Sequence, residues 1–185
     1  YRRYELYYWK HTHARWWAGI FKVNMDNVDK LLAIEEIKII KHKYFRAIDM
    51  ADFDLLEEIF DPDIQVDYRG GTYRWQESGK DAIITALKYS FHNQAAAMHT
   101  GHHPEISIHS TTKASGKWYL HDVFYNFSEK VITQGTALYE DEYIFDGNSW
   151  KILKSQYDRI VESVSPIDEN IKFTKYMLKD KGKKL

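Results

Sequence analysis

A histidine and an aspartate stand near opposite ends of segment 98–122, MHTGHHPEISIHSTTKASGKWYLHD. Two strand-like runs joined at Ser115-Gly116 predict a hairpin, which would bring His99 close to Asp122. A carboxylate beside an imidazole orients the ring and favours its protonated form, so the ring can take up a proton and return it. The spacing therefore indicates a general acid–base pair, while a structural or solvent-exposed histidine is the simpler alternative.

The composition argues against several classes of function. The 185 residues carry a net charge of −1 and no cysteine, so neither a nucleic-acid partner nor a thiol or cysteine–metal site is favoured. No apolar run approaches the length of a membrane span, and we expect a cytoplasmic protein. Phosphate-binding glycine loops and a Gly-x-Ser-x-Gly motif are absent from the sequence. The 14 tyrosines and 6 tryptophans suit either a cavity for a bulky organic ligand or an aromatic-rich core.

Residues 1–28 form a basic, aromatic N-terminal extension. Residues 1–22 contain five basic residues and only one acidic residue, and aromatic residues recur at helical spacing. Such a helix packs on its own domain or on a partner subunit, and the alternative is a helix that lies on a membrane surface.

Apolar residues recur every three or four positions across 29–50, which predicts a helix. Tyr44 lies on its apolar face, so its ring can be buried while its hydroxyl reaches a cavity. Asp49 lies near the helix end, where the macrodipole disfavours a carboxylate. An acid at this position either faces water or has a function.

The rest of the pattern alternates turns with short elements. A helix over 55–60 precedes a hairpin that turns at Gly70-Gly71, and Ser78-x-x-Asp81 predicts a capped third helix. Four strands within 105–160 then predict an antiparallel meander. Its last strand places Tyr157 and Arg159 on one face, while Ile152 shares that face only if a bulge shifts the register.

Helices followed by a meander predict an α+β domain over 29–165, with N-terminal helices packed against one face of a curved antiparallel sheet. Such a sheet, capped by helices, makes a cone with an open end. The lysine-rich tail, 166–185, is predicted to fray or to cover the edge of another subunit.

This organisation resembles the SnoaL-like group of the nuclear transport factor 2-like superfamily (cystatin-like fold), and within it the bacterial bile acid 7α-dehydratases. Four stretches carry the resemblance: Lys43-Tyr44-Phe45-Arg46 with Asp49, Met98–His102 running into Pro104-Glu105-Ile106, Gly116–Leu120 with Asp122, and Tyr157 with Arg159. The active-site positions that the resemblance implies are Tyr44, Asp49, His99, Asp122 and Arg159.

The implied reaction is cofactor-independent removal of water from a hydroxy-3-oxo steroid, free or as a coenzyme A thioester, with no metal. His99 would be the base and Asp122 its orienting partner. Tyr44 would donate a hydrogen bond to the substrate oxygen, and Asp49 would support Tyr44 or assist protonation. Arg159 would anchor a distal acid group or set the local charge. We further predict five substrate-binding residues: Tyr68, Trp75, His102, Tyr119 and Tyr157.

Two other functions use the same features. An isomerase or cyclase of a polycyclic ketone needs the same acid–base equipment, and a non-catalytic binding or assembly module can share the fold. A membrane-surface or nucleic-acid role depends on residues 1–22 alone. The resemblance also implies a homotrimer.

Overall fold

A computed structural model describes residues 25–184, so the predicted helix within residues 1–22 lies outside the described residues. Its helices are α1 (Asn27–Met50), α2 (Phe53–Ile59), α3 (Lys80–Ser90) and α4 (Leu178–Lys181). Its strands are β1 (Phe60–Arg69), β2 (Arg74–Ser78), β3 (Ala95–Ile108), β4 (Lys113–Asn126), β5 (Val131–Phe145) and β6 (Trp150–Pro166). No helix between residues 25 and 184 combines the length and the apolarity that a membrane span requires.

Helix α1 begins and ends with well-defined caps. The Asp26 carboxylate accepts a hydrogen bond from the Asp29 N–H at 2.8 Å, which satisfies a donor that the first turn leaves free. The helix ends at Ala51, which adopts a left-handed conformation with φ of 52°. Between these caps, the predicted apolar stripe is buried from Ile37 through Tyr44 to Ile48, whereas Leu31 near the helix start is 63% exposed.

The strands form one open sheet in the order β2-β1-β6-β5-β4-β3. All neighbouring pairs are antiparallel except β1 and β6, which are parallel. Helix α1 packs on β3 and β6. The predicted α+β architecture, with helices packed on a curved, unclosed sheet, is confirmed.

The predicted hairpin turn at Ser115-Gly116 is wrong. Strands β3 and β4 are longer than expected and are joined by residues 109–112. Gly116 lies within β4, where a Cβ atom would stand 3.1 Å from the Trp118 indole nitrogen and 3.2 Å from the Tyr143 ring. This glycine therefore serves close side-chain packing instead of a turn.

Two other local predictions have different outcomes. Ser78 ends β2, and the N-cap of α3 is Gly79, with no side-chain cap. The capping box was therefore wrong. A register shift in the β5–β6 pair between Glu142 and Tyr143 matches the bulge that Ile152 required, and Ile152 is fully buried.

The C-terminal tail packs against its own domain. Leu178 in α4 is buried, and the Asn93 N–H donates to the Lys183 carbonyl at 2.9 Å. Phe173 and Tyr176 pack around Phe127. This part of the tail does not fray, because its aromatic and aliphatic side chains are covered by the sheet and by α1.

Candidate active site

His99 and Asp49 form the first hydrogen-bonded pair of the site. Strand β3 is the outermost strand of the sheet, and its free edge meets the last turn of α1. The Asp49 carboxylate accepts from the His99 backbone N–H at 2.9 Å and lies 2.6 Å from the ring Nδ1. Because an ionised carboxylate only accepts hydrogen bonds, Asp49 holds a proton on Nδ1, and the neutral ring then has its lone pair on Nε2. The ring is therefore held in the tautomer that a base requires.

The hydrogen-bonding partner that the sequence assigned to His99 was wrong. His99 and Asp122 are direct register partners on β3 and β4, as expected. The Asp122 carboxylate, however, binds the Arg159 guanidinium through both Nη atoms, with the Nη2–Oδ2 distance at 2.8 Å. The carboxylate of Asp49 takes the predicted role because α1 reaches the edge of β3. Asp49 also does not support Tyr44, whose hydroxyl bonds to Tyr68.

Arg159 is neutralised by two acids. Besides Asp122, its Nε lies 3.1 Å from a Glu162 carboxylate oxygen, and all three side chains are less than 10% exposed. Burial is the largest single influence and would lower the pKa of Arg159, but the hydrogen bonds to Asp122 and the electrostatic effects of Asp122, Tyr73 and Tyr157 together raise this pKa. A cation already held by two carboxylates sets the local charge, and it is poorly placed to anchor an acid group of a ligand.

Tyrosine hydroxyls line one side of the same cavity. The Tyr44 and Tyr68 hydroxyl oxygens lie 2.7 Å apart, and the Tyr68 ring stacks on Tyr157 at 4.5 Å. Tyr157 in turn bonds to the hydroxyl of Tyr73. Burial raises the pKa of both Tyr44 and Tyr157, so both hydroxyls stay protonated at neutral pH.

Two of the five predicted substrate-binding residues were wrong. His102 and Tyr119 are register partners whose rings stack at 5.9 Å, but neither lines the cavity. Side chains alternate between the two faces of a strand, so His102 points away from the face that His99 occupies. Tyr119 is separated in the same way from its buried neighbours Trp118 and Leu120. Tyr68, Trp75 and Tyr157 line the cavity.

A buried ion pair beneath the cavity was missed. The Lys41 ammonium lies 2.8 Å from an Asp141 carboxylate oxygen, and both side chains are 0% exposed. Each residue interrupts a buried apolar pattern, Lys41 between Ile37 and Tyr44 on α1 and Asp141 between Tyr139 and Tyr143 on β5. A charge within each buried stripe was the signal in the sequence, because such charges are rarely buried without a partner.

The cavity has a volume of about 360 Å³, within the usual range for small-molecule sites. Phe45 and Phe91 flank the His99 ring, and Phe45 fits there because position 101 is glycine. The cavity walls consist mainly of aromatic and aliphatic side chains, with polar groups at a few points. Lining residues are Tyr44, Ile48, Tyr68, Tyr73, Trp75, Leu87, Ser90, Phe91, His99, Leu120, Asp122, Phe124, Thr133, Tyr139, Tyr157 and Arg159.

The fold is that of a known family. The protein-family model for the SnoaL-like domain matches residues 29–156. The chain therefore belongs to this family, within the nuclear transport factor 2-like superfamily. The family membership predicted from the sequence is therefore confirmed.

Solved structures of the same fold are similar over most of their length. One is a putative scytalone dehydratase from Novosphingobium aromaticivorans, with TM-score 0.66, 18% identity and coverage of 75% of this chain and 91% of that chain. A hexachlorocyclohexane dehydrochlorinase has TM-score 0.67, 16% identity and coverage of 81% and 98%. An uncharacterised protein with a cystatin-like fold from Caulobacter vibrioides has TM-score 0.57, 12% identity and coverage of 70% and 91%.

Proposed function

We propose that this protein is a hydro-lyase that removes water from a polycyclic hydroxy ketone, with a hydroxy-3-oxo steroid as the preferred class of substrate. The observation that carries the proposal is the His99–Asp49 pair, held in the tautomer of a base and facing an apolar cavity of about 360 Å³. Two of the similar structures bear the names of elimination enzymes, a dehydratase and a dehydrochlorinase. Loss of water from a hydroxy ketone is also an elimination.

The chemistry begins at a C–H bond that a carbonyl group activates. In the proposed reaction, His99 Nε2 takes this proton, and the electron pair of the C–H bond moves into the conjugated enolate. The electrons then return to expel hydroxide, which leaves as water with the proton from the imidazolium. No electron acceptor is needed, because the elimination is redox-neutral. A positioned base of this kind contributes about 10²- to 10⁴-fold in rate.

The surrounding charges are suited to this transfer. When His99 becomes an imidazolium, Asp49 at 2.6 Å stabilises the new positive charge. The developing enolate needs a hydrogen-bond donor, and protonated tyrosines of the cavity wall are the nearest source. The apolar walls exclude water and so strengthen both interactions.

A mass-spectrometric assay tests the proposal. Purified protein is mixed with a 7α-hydroxy-3-oxo-Δ4 steroid, both as the free acid and as its coenzyme A thioester. We expect loss of one water molecule from at least one form, with His99→Ala inactive. His102→Ala is the matched control, because it removes a histidine from the same strand on the opposite face and should keep its activity.

The other outcomes separate the alternatives. A product of unchanged mass would replace the dehydratase with an isomerase. Absence of both turnover and binding would favour the non-catalytic module. Full activity of His99→Ala would refute the role of the histidine.

We also propose a homotrimer, as the family resemblance implies. Met98 and Tyr119 project from the sheet at 49% and 42% exposure, so they leave apolar surface that a second subunit would cover. Light scattering on a sizing column should give three times the mass of the chain, and a monomeric mass would contradict the assembly.

A further inference from the structure

A continuous chain of hydrogen bonds links the buried ion pair to the cavity wall. The Ser155 hydroxyl donates to Asp141 at 2.8 Å, and the Tyr68 hydroxyl donates to Ser155 at 3.2 Å. The Tyr44 and Tyr68 hydroxyl oxygens are 2.7 Å apart. Tyr44 lines the cavity, so this chain runs from the protein interior to the ligand space.

The direction of every bond in this chain follows from its inner end. A carboxylate cannot donate a hydrogen bond, so Ser155 must donate its single hydroxyl proton to Asp141. Ser155 then accepts from Tyr68, which in turn has no proton left for Tyr44. The Tyr44 proton must therefore point towards Tyr68 and away from the cavity. Tyr139 also interacts with the Tyr44 hydroxyl, but it does not change this order.

Lys41 pairs with the inner end of the hydrogen-bond chain, the Asp141 carboxylate. Its ammonium contacts Asp141 at 2.8 Å and lies 3.5 Å from the centroid of the Tyr139 ring. Tyr143 donates a second hydrogen bond to Asp141, at 2.8 Å. Burial lowers the pKa of Lys41, and the neighbouring Asp141 carboxylate opposes this effect. The carboxylate thus accepts hydrogen bonds from two hydroxyl groups beside the Lys41 ammonium, and it serves as a fixed acceptor.

A second hydroxyl pair in the cavity has the opposite polarity. Tyr73 and Tyr157 are bonded to each other, and the Arg159 guanidinium, which can only donate, approaches the Tyr73 hydroxyl at 3.5 Å. Two hydroxyls carry two protons, and their mutual bond uses one. Whichever tyrosine donates within the pair, one proton is left for an acceptor on a ligand.

We infer that Tyr44 accepts a hydrogen bond from a hydroxyl group of the ligand and that the Tyr73–Tyr157 pair donates one to a ligand carbonyl. Lys41 and Asp141 are positioning residues, which fix Tyr44 as the acceptor. The inference deepens the proposed function and rests on it for the ligand class, a polycyclic hydroxy ketone. It reverses the donor role that the family resemblance implied for Tyr44. A ligand with its carbonyl at Tyr44 would leave two acceptors facing each other.

Equilibrium binding of two steroids tests the inference. The two ligands are a 7α-hydroxy-3-oxo-Δ4 steroid and the corresponding 3,7-diketone, which replaces the hydroxyl donor with an acceptor. Their Kd values are measured by tryptophan fluorescence, because Trp75 lines the cavity. Every protein also carries His99→Ala, so that no ligand is consumed. We expect the hydroxy ketone to bind about tenfold more tightly than the diketone.

Ser155→Ala and Tyr143→Phe form the matched pair of variants. Each removes one donor to Asp141, but only Ser155 connects Asp141 to Tyr44. In Ser155→Ala the tyrosine protons can reverse, so the preference should shrink to about twofold or invert. Tyr143→Phe should keep the tenfold preference. If Ser155→Ala does not fold, Tyr68→Phe takes its place, because it also frees the Tyr44 proton.

Three results would overturn the inference. They are equal binding of both ligands to the protein with an intact hydrogen-bond chain, a preference that Ser155→Ala leaves unchanged, or binding of neither ligand. The test is separate from turnover. If the His99→Ala protein shows the expected binding preference but the wild type releases no water, the inference is sustained and the proposed dehydratase is overturned. If the wild type dehydrates a hydroxy ketone but the binding preference is absent, the dehydratase is sustained and the inference is overturned.

Discussion

Two pairs of titratable side chains that involve α1 differ chiefly in their access to solvent. Lys41–Asp141 is completely sealed, while the side chains of His99 and Asp49 are 11% and 24% exposed. Lys41 and Asp49 are eight positions apart, about 12 Å along the helix. The sealed pair has no direct contact with water or ligand, so it acts on the cavity by orienting its neighbours. The partly exposed His99–Asp49 pair can exchange protons with a ligand directly, and this difference separates a positioning pair from a catalytic one.

Asp49→Asn should have the largest effect on this comparison. The amide can donate to His99 Nδ1, so the ring loses its preference for the tautomer that leaves Nε2 free. We expect kcat for dehydration to fall by about 10²- to 10⁴-fold. Steady-state kinetics with mass-spectrometric detection measures the change. Asp122→Asn should cost less, because Asp122 does not bond to His99, and a larger loss there would return the orienting role to Asp122.

Lys41→Met tests the sealed pair through stability. Removal of the ammonium leaves the Asp141 charge buried without its cation, so the free energy of unfolding should fall by about 3–5 kcal/mol. Urea denaturation followed by circular dichroism measures it. The double variant Lys41→Met/Asp141→Asn should recover part of the loss, because it removes the unpaired charge. A Lys41→Met protein as stable as the wild type would show that the pair is not structurally coupled.

The buried tyrosines predict a loss of stability in alkali. Burial raises the pKa of Tyr44 and Tyr157 in the folded protein, whereas unfolded tyrosines ionise near pH 10. Above about pH 10 the unfolded state therefore binds fewer protons than the native state, and stability falls as pH rises. Each such group contributes about 1.4 kcal/mol per pH unit in that range. Denaturation at about pH 8 and pH 11 measures the slope, and unchanged stability would contradict the raised pKa values.

An exposed pair should have the smallest effect. Lys38 and Glu35 are 2.6 Å apart on the same helix, with side chains 31% and 65% exposed. Glu35→Gln should change the free energy of unfolding by no more than about 0.5 kcal/mol, because water screens the pair. The same urea titration measures it. A cost comparable to that of Lys41→Met would show that burial is not what distinguishes the pairs.

The sequence predicted the elements better than the contacts between them. The helical period of α1 and the alternation in β4 to β6 are local signals, and both led to the right architecture. The turn at Gly116 was misplaced because a glycine needed for packing looks the same as a glycine needed for a turn. His102 and Tyr119 were misassigned because they lie on the faces of β3 and β4 opposite to the one that carries His99 and Leu120.

The chemistry of the site depended on contacts between distant residues. Asp49 and His99 are 50 positions apart, and their bond requires α1 to meet the free edge of β3. Asp141, the partner of Lys41, and Asp122, one of the two partners of Arg159, likewise lie on other elements. Residue types and periodicity selected the group of charged and tyrosine side chains, but only the packing of helix on sheet determines which carboxylate binds which cation.

Proton abstraction at the substrate carbon is the most direct measurement of the His99–Asp49 function. A ketone that lacks the leaving hydroxyl is incubated in D2O with wild-type protein or with His99→Ala, and its mass is followed with time. Catalysed uptake of deuterium next to the carbonyl by the wild type alone is the expected result, since enolate formation does not require water loss. No uptake above the rate without protein, or equal uptake with His99→Ala, would contradict the assignment of His99 as the base.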